Sequence, residues 1–309
     1  MTSRRAILAA MAGAALPAQA AEPDWPAAIS IATASPGGTY HAYGIGLAGV
    51  LTRELGIAVS IRDSSGPAEN LRLLDGGAVQ IAFVTTGAAL AARGTAAQAL
   101  FVMYDTPFHF VLRRDSPIRS FAELSGRAVA VGPEGGTGAT YEPRLLGVLG
   151  AEIRPAFGSW EELATRFAAG EFDAIAVAAG APFPAIAALE ARRAIRYLPL
   201  SREQVTQLRL AAPELSATRI PAGTYPSLLV PYETVGLYNL AVAHRSMPPG
   251  LAFEIVRAVF ENQAEMMQAH PAAAATVPAN FIHNTVLPWH PGAMRYYGSR
   301  SVRGILRGD

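Results

Sequence analysis

Gly37-Gly38-Thr39-Tyr40 and Gly135-Gly136-Thr137-Gly138 repeat one chemical unit, each behind an apolar run at residues 29–33 and 127–131. Each run reads as a buried strand and each Gly-Gly-Thr as a loop that opens a helix. The first turn of a helix leaves backbone N–H groups unpaired and carries roughly half a positive charge, and glycine lets a ligand approach that backbone closely. Both units are therefore candidate anion cradles, with Gly38, Thr39 and Tyr40 as ligand contacts in one and Gly136, Thr137 and Gly138 in the other.

Three further loops offer hydroxyls and amides where a strand hands over to a helix. Ser64, Ser65, Glu69 and Asn70 form one, Thr85 and Thr86 a second, and Gly180 in Ala179-Gly180-Ala181-Pro182 a third. In open parallel sheets ligands lie beyond the carboxyl ends of the strands, so these residues join the candidate site. Glu69 stands at a helix start, where capping is the simpler role and ligand contact the second. Tyr40 and Tyr225 are candidates to wall a cleft because both follow Gly-Thr, whereas Trp289 beside a Pro turn could equally cover a core edge.

The inventory for covalent or acid–base chemistry is thin. The chain has no cysteine, no G-x-S-x-G elbow and no Walker-type lysine after its glycines. The histidines His41, His109, His244, His270, His283 and His290 show no metal-ligand spacing, and each reads as a helix-end or surface residue. No metal, cofactor or catalytic residue is expected.

The elements that must hold these loops alternate. Strands are expected at 58–62, 79–84, 108–112, 174–178 and 234–243. A helix at 67–75 has Pro67 at its first position, and a short Ala-rich helix follows Thr85-Thr86-Gly87. Ser120-Phe121-Ala122-Glu123, Ser159-Trp160-Glu161-Glu162 and Ser201-Arg202-Glu203-Gln204 each fit a capping box. Residues 249–269 read as one amphipathic helix with Ala252, Ile255, Val256, Val259, Phe260 and Met267 on its apolar face. This order predicts an α/β protein of parallel sheets flanked by helices. Residues 108–112 and 234–243 read as the places where the chain passes between two lobes, which gives 22–112 plus 240–309 for one lobe and 113–239 for the other.

Composition agrees with an ordered binder of small molecules. Of 309 residues 51% are hydrophobic and 16% charged, with a formal net charge of +1, so no basic face is available for nucleic acid. At the N-terminus Arg4-Arg5, an apolar run over 6–16 and Ala18-Gln19-Ala20 read as a signal peptide of residues 1–20 cleaved after Ala20. Ser3-Arg4-Arg5-Ala6-Ile7-Leu8 also resembles a twin-arginine signal. The expected location is the periplasm, as a monomer.

Over residues 29 to 297 the chain resembles the TAXI-type solute-binding proteins of TRAP (tripartite ATP-independent periplasmic) transporters. The resemblance lies in Gly37-Gly38-Thr39-Tyr40, Glu69-Asn70-Leu71-Arg72-Leu73-Leu74, the apolar strand at 81–84, Gly135-Gly136-Thr137-Gly138, Ile220-Pro221-Ala222-Gly223-Thr224-Tyr225-Pro226 and His290-Pro291-Gly292-Ala293. It implies a two-lobed type II periplasmic-binding-protein fold with a hinge and an interlobe cleft. It also implies capture of an organic acid or amino acid for TRAP transporter membrane subunits. Two segments depart from the family pattern: Ser64-Ser65-Gly66-Pro67-Ala68 replaces Thr-Gly-Gly-Ser-Val, and Thr85-Thr86-Gly87 replaces Gln-Ser-Asp. Losing that carboxylate points away from an ammonium group and towards a plain organic acid. A small-metabolite enzyme on the same fold, or a periplasmic sensor signalling to a membrane receptor, are the alternative readings.

Overall fold

The computed structural model describes residues 24–299, so the expected signal peptide lies outside the described residues. The chain runs β1 Ala28–Ala32, α1 Thr39–Leu55, β2 Ala58–Arg62, α2 Pro67–Asp75, β3 Ile81–Thr85, α3 Thr86–Ala91 and β4 Ala97–Arg113. It continues through β5 Ala128–Gly132, α4 Thr137–Val148, β6 Arg154–Phe157, α5 Trp160–Ala168, β7 Ala174–Ala178, α6 Pro184–Glu190, β8 Ile195–Tyr197, α7 Arg202–Ala211 and β9 Ser216–Ile220. β10 Tyr232–His244, α8 Pro249–Glu261, α9 Gln263–Ala269 and α10 Pro291–Ser299 complete it.

The strands form one path, β2-β1-β3-β10-β4-β7-β5-β6, with β8 on β4 and β9 on β10. β1, β2 and β3 are parallel, as are β5, β6 and β7, each joined by right-sized helical crossovers. The wholly parallel sheets expected from the alternation are not what forms. β4 and β10 are long strands that run antiparallel to each other and to both parallel groups. Along β10, residues Asn239–Ala243 pair with β3, while Tyr232–Gly236 pair with β9. Along β4, Phe108–Leu112 pair with β7, and the paired stretch against β10 spans Ala97 to Pro107. The reading of 108–112 as a separate strand thus captured only the end of β4, because Ala97–Met103 is equally apolar and buried on both faces.

Helices cover both faces of each parallel group. Alternation along β10 sends Ala241 and Ala243 to the core beneath α1 and α8, and Leu240 and Val242 to the core beneath α2 and α3. Two further cores flank β5 and β7. Local signals explain most helix starts. Ser201 and Gln204 form the expected capping box, and Ser159 accepts from the Glu162 N–H at 3.2 Å, although Glu162 turns away to Arg166. Ser120-Phe121-Ala122-Glu123 instead closes on itself through a Ser120–Glu123 side-chain bond and opens only a 3-10 turn.

Residues 249–269 do not form one helix. The chain breaks at Asn262, whose Nδ2 donates to the Ala258 carbonyl while its Oδ1 accepts from Arg53 of α1. The break shifts the helical phase, so Met266 is buried and Met267, expected on the apolar face, is exposed. No helix among the described residues is long and apolar enough to cross a membrane.

Candidate functional site

The two Gly-Gly-Thr loops fold alike. Gly37 and Gly135 both have φ of 80°, the N–H of Gly38 donates to Ser35 O and that of Gly136 to Pro133 O. Gly38 and Gly136 are then the N-cap residues of α1 and α4, in extended backbone and with no side-chain cap. Neither helix has an acidic residue in its first turn. Every other α-helix among the described residues has a side-chain cap, a first-turn acid or a leading proline. The α1 and α4 starts both face one cavity, which the Pro67-led start of α2 also lines.

That cavity encloses about 70 Å³. At the roughly 10–15 Å³ a water centre occupies, it holds about five to seven waters, the size of a ligand with about as many heavy atoms. Its wall takes Ala34, Ser35, Gly38, Thr39 and Tyr40 from the turn into α1, and Ser65, Gly66 and Pro67 from the turn into α2. Val131, Pro133, Gly136, Thr137, Gly138, Ala178 and Ala179 line the facing side. Tyr104, Thr106 and Asn239 form its floor from β4 and β10, and Trp160 packs edge-on against Phe183 at 5.2 Å to form an apolar end. None of the lining residues is Asp, Glu, Lys, Arg or His.

The floor is a hydrogen-bonded lattice with two loose ends. Tyr40 Oη donates to Asn239 Oδ1 at 2.6 Å, and Asn239 Nδ2 donates to Tyr104 O and Thr106 Oγ1, each at 2.7 Å. Thr106 keeps its own hydroxyl proton. The Tyr104 hydroxyl is buried with no partner among the described residues. Burial pushes both phenols well above their usual range, with Tyr40 and Tyr43 adding to the effect at Tyr104, so both stay protonated donors.

Across the cavity mouth the two halves touch. A Cβ on Gly66 would stand 2.5 Å from Gly135 O, so only glycine fits that approach. The Gly180 N–H donates to Thr39 Oγ1 at 3.1 Å.

Of the residues expected at the site, Gly38, Thr39, Tyr40, Ser65, Gly136, Thr137 and Gly138 line this cavity. The others stand outside its wall. Ser64 Oγ donates to Asn70 Oδ1 and accepts from Gly66 N, and Asn70 Nδ2 ties Thr33 O to Phe83 O. Glu69 accepts from the Ser65 hydroxyl and N–H at 2.7 Å each, bonds that hold its carboxyl below the usual range, so it braces the turn that leads into α2. Thr85 caps α3 through the Ala88 N–H, Thr86 reaches towards Glu214 O, and Gly180 sits one residue beyond the lining Ala179.

Tyr225 is fully buried away from the cavity. Its Gly223-Thr224-Tyr225 is a turn closed by Gly223 N–Leu228 O, with no helix behind it. It accepts from the Phe183 N–H at 2.7 Å and meets His109 Nε2 at 3.0 Å. His109 itself overturns the helix-end or surface expectation, since it lies inside β4 with no exposure. Its Nδ1 faces the Val177 carbonyl, which can only accept, so Nε2 is the acceptor for Tyr225 and the ring is neutral. Burial lowers its pKa to about 4. His270 and His290 do sit at helix ends, as expected, and Trp289 stacks on Phe281 over a core edge.

Sequence reasoning missed Tyr104, Thr106, Asn239, Trp160 and Phe183. A usable signal existed for three of them, because Tyr104-Asp105-Thr106 and Asn239 are polar interruptions in otherwise apolar strands.

Parallel β-α units on two sides, long antiparallel strands joining them and a cavity between facing helix starts define the type II periplasmic-binding-protein fold. Solved proteins of this fold superpose over most of the chain. R. palustris Rpa4515, solved with adipate, is 17% identical with a TM-score of 0.54 over 81% of this chain and 89% of its own. An amino acid ABC transporter substrate-binding protein from Streptococcus pneumoniae, bound to L-arginine, is 14% identical with a TM-score of 0.51 over 81% and 95%. Xanthomonas citri XAC2383, bound to ATP, is 17% identical with a TM-score of 0.51 over 91% and 98%. The chain belongs to the NMT1-like family, whose model matches residues 31–299.

Proposed function

We propose that this protein is an extracytoplasmic solute-binding protein that captures a small organic anion between two lobes, 22–112 plus 240–309 and 113–239. The observation that carries this is the convergence of two uncapped helix starts on one small cavity with no ionic side chain in its wall. Open N–H groups and the helix dipoles supply the positive potential. With no carboxylate in the wall, an ammonium group would be buried unpaired, so an organic acid fits and an amino acid does not. The wall also offers no side chain that could act as a general base near neutral pH, which favours capture over turnover. Structures of the same fold hold adipate and L-arginine, in keeping with a small-ligand binder.

Delivery to a TRAP-type transporter is the reading drawn from the sequence resemblance. An ABC-type partner is the second, favoured by the fold it shares with the S. pneumoniae protein. Titration calorimetry with small carboxylates, paired with small-angle scattering, tests the binding: a saturable heat and a smaller radius of gyration are expected. Absence of both for every carboxylate tried would sink the proposal. Uptake into vesicles holding the membrane subunits, driven by a sodium gradient without ATP, separates the two partners.

A further inference from the structure

We infer that the ligand is a carboxylate with a short aliphatic tail, and that Trp160 closes the cavity at the tail and sets its length. This rests on the anion-binding reading above and deepens it by naming the residue that selects among carboxylates.

Trp160 is placed by its own chain neighbours. Strand pairing sets Phe157 opposite Gly132, the Gly158 N–H donates to Gly132 O at 3.2 Å, and Ser159 caps α5, whose first residue is Trp160. The indole then lies on the Gly132 backbone, where a Cβ would stand 2.5 Å from both Cη2 and Cζ2. Only glycine leaves room for that approach. The ring also meets Phe183 edge-on at 5.2 Å, and Phe183 is wholly buried. Backbone at one contact and a packed ring at another hold the indole in place. Trp160 itself is only half-buried and stands in the cavity wall, as do Val131 and Pro133 on either side of Gly132.

A ring held in this way ends the space open to a ligand. Trp160, Phe183, Val131 and Pro133 present mainly carbon to the cavity. Burying CH₂ groups against them is favourable, and burying a further charge there is not. Size then fixes the tail. About 70 Å³ holds roughly five to seven heavy atoms, which is a carboxylate group with about two to four further carbons.

The test is calorimetry of the wild-type chain, Trp160→Ala and Trp160→Phe with the straight-chain acids from acetate to octanoate, alongside tryptophan fluorescence. Wild type is expected to gain about fourfold per added methylene up to a best acid between propionate and valerate, then to lose about tenfold or more as the next carbons meet the ring. Trp160→Ala should move the best acid to a longer chain by about two carbons or more, and bind octanoate about tenfold more tightly than wild type. Trp160→Phe keeps a ring against Phe183, so it should fold even where Trp160→Ala does not, and move the best acid by about one carbon. Of the three tryptophans only Trp160 lines the cavity, so a saturating acid should change the wild-type emission and leave that of Trp160→Phe unchanged. An unshifted length profile in the folded variants overturns the inference while leaving anion capture standing, as does wild-type emission that stays constant while binding heat is released. Equal losses for every acid overturn it too, by reducing Trp160 to a support for the loop. A wild-type chain that binds none of the series overturns this inference, and a panel of polar carboxylates then decides the parent reading.

Discussion

Gly180→Ala separates closure of the two lobes from the stability of either one. A Cβ at position 180 would lie 2.8 Å from Thr39 Cγ2, 3.0 Å from Ala272 Cβ and 3.4 Å from His270 Cε1. In the proposed division Gly180 belongs to the second lobe and all three neighbours to the first. The added methyl is therefore free in an open form and overlaps only in the closed one. Rotating Thr39 away would relieve the closest contact, but at the loss of the Gly180 N–H bond to Thr39 Oγ1, about 1 kcal/mol. Overpacking of this kind costs roughly 1–3 kcal/mol, so a middle value of about 2 kcal/mol predicts affinity down about 30-fold. The backbone at Gly180 is not in the left-handed region, and replacing glycine by alanine there should leave the ligand-free melting temperature unchanged or slightly raised. Calorimetry, thermal melting without ligand and scattering with saturating ligand are the assays. An affinity within threefold of wild type would refute the closure geometry. A fall in ligand-free stability as large as the loss in binding would show that the contact is permanent and the lobes do not part.

Two further predictions probe the framework. Asn239→Ala removes the acceptor of the buried Tyr40 hydroxyl and the donor to Tyr104 O and Thr106 Oγ1, and should cost about 3 kcal/mol; a urea midpoint shift worth under 1 kcal/mol at constant slope would contradict it. His109, with its pKa lowered by burial to about 4, takes up its proton more readily unfolded than folded. Its contribution is therefore complete above about pH 6.5 and lost as pH falls through 4, on the order of 3 kcal/mol. A stability–pH slope identical in wild type and His109→Asn over that window would rule it out.

What the sequence made legible was local. The Gly-Gly-Thr loops, Pro67 at a helix start and the Ser201 capping box are encoded within four residues, and each forms where expected. What it hid was tertiary. β4 and β10 are apolar on both faces, so periodicity could not say that Tyr104, Thr106 and Asn239 turn towards the cavity. The helix over 249–269 has unbroken apolar spacing, and its break at Asn262 depends on Arg53 arriving from α1. Tyr225 shows the opposite error. Its Gly-Thr-Tyr matches the first cradle letter for letter, but a turn closed on Leu228 follows in place of a helix, and a Gly-Thr without a helix has no open N–H groups to offer.

The same contrast explains why the two Gly-Gly-Thr loops are conspicuous. A glycine N-cap gives up only a few tenths of a kcal/mol relative to serine or threonine. Leaving α1 and α4 without a hydroxyl cap or a first-turn carboxylate is therefore a small loss to the fold. A carboxylate there would occupy the place of an anionic ligand. The chain uses caps, acids or leading prolines at every other described helix, including α2, whose start lines the same cavity behind Pro67. The omission is thus confined to α1 and α4, the two helix starts that line the cavity without a leading proline or a first-turn acid. A ligand that supplies the missing negative charge to both starts at once would couple them, and pull together the two halves of the chain that carry them.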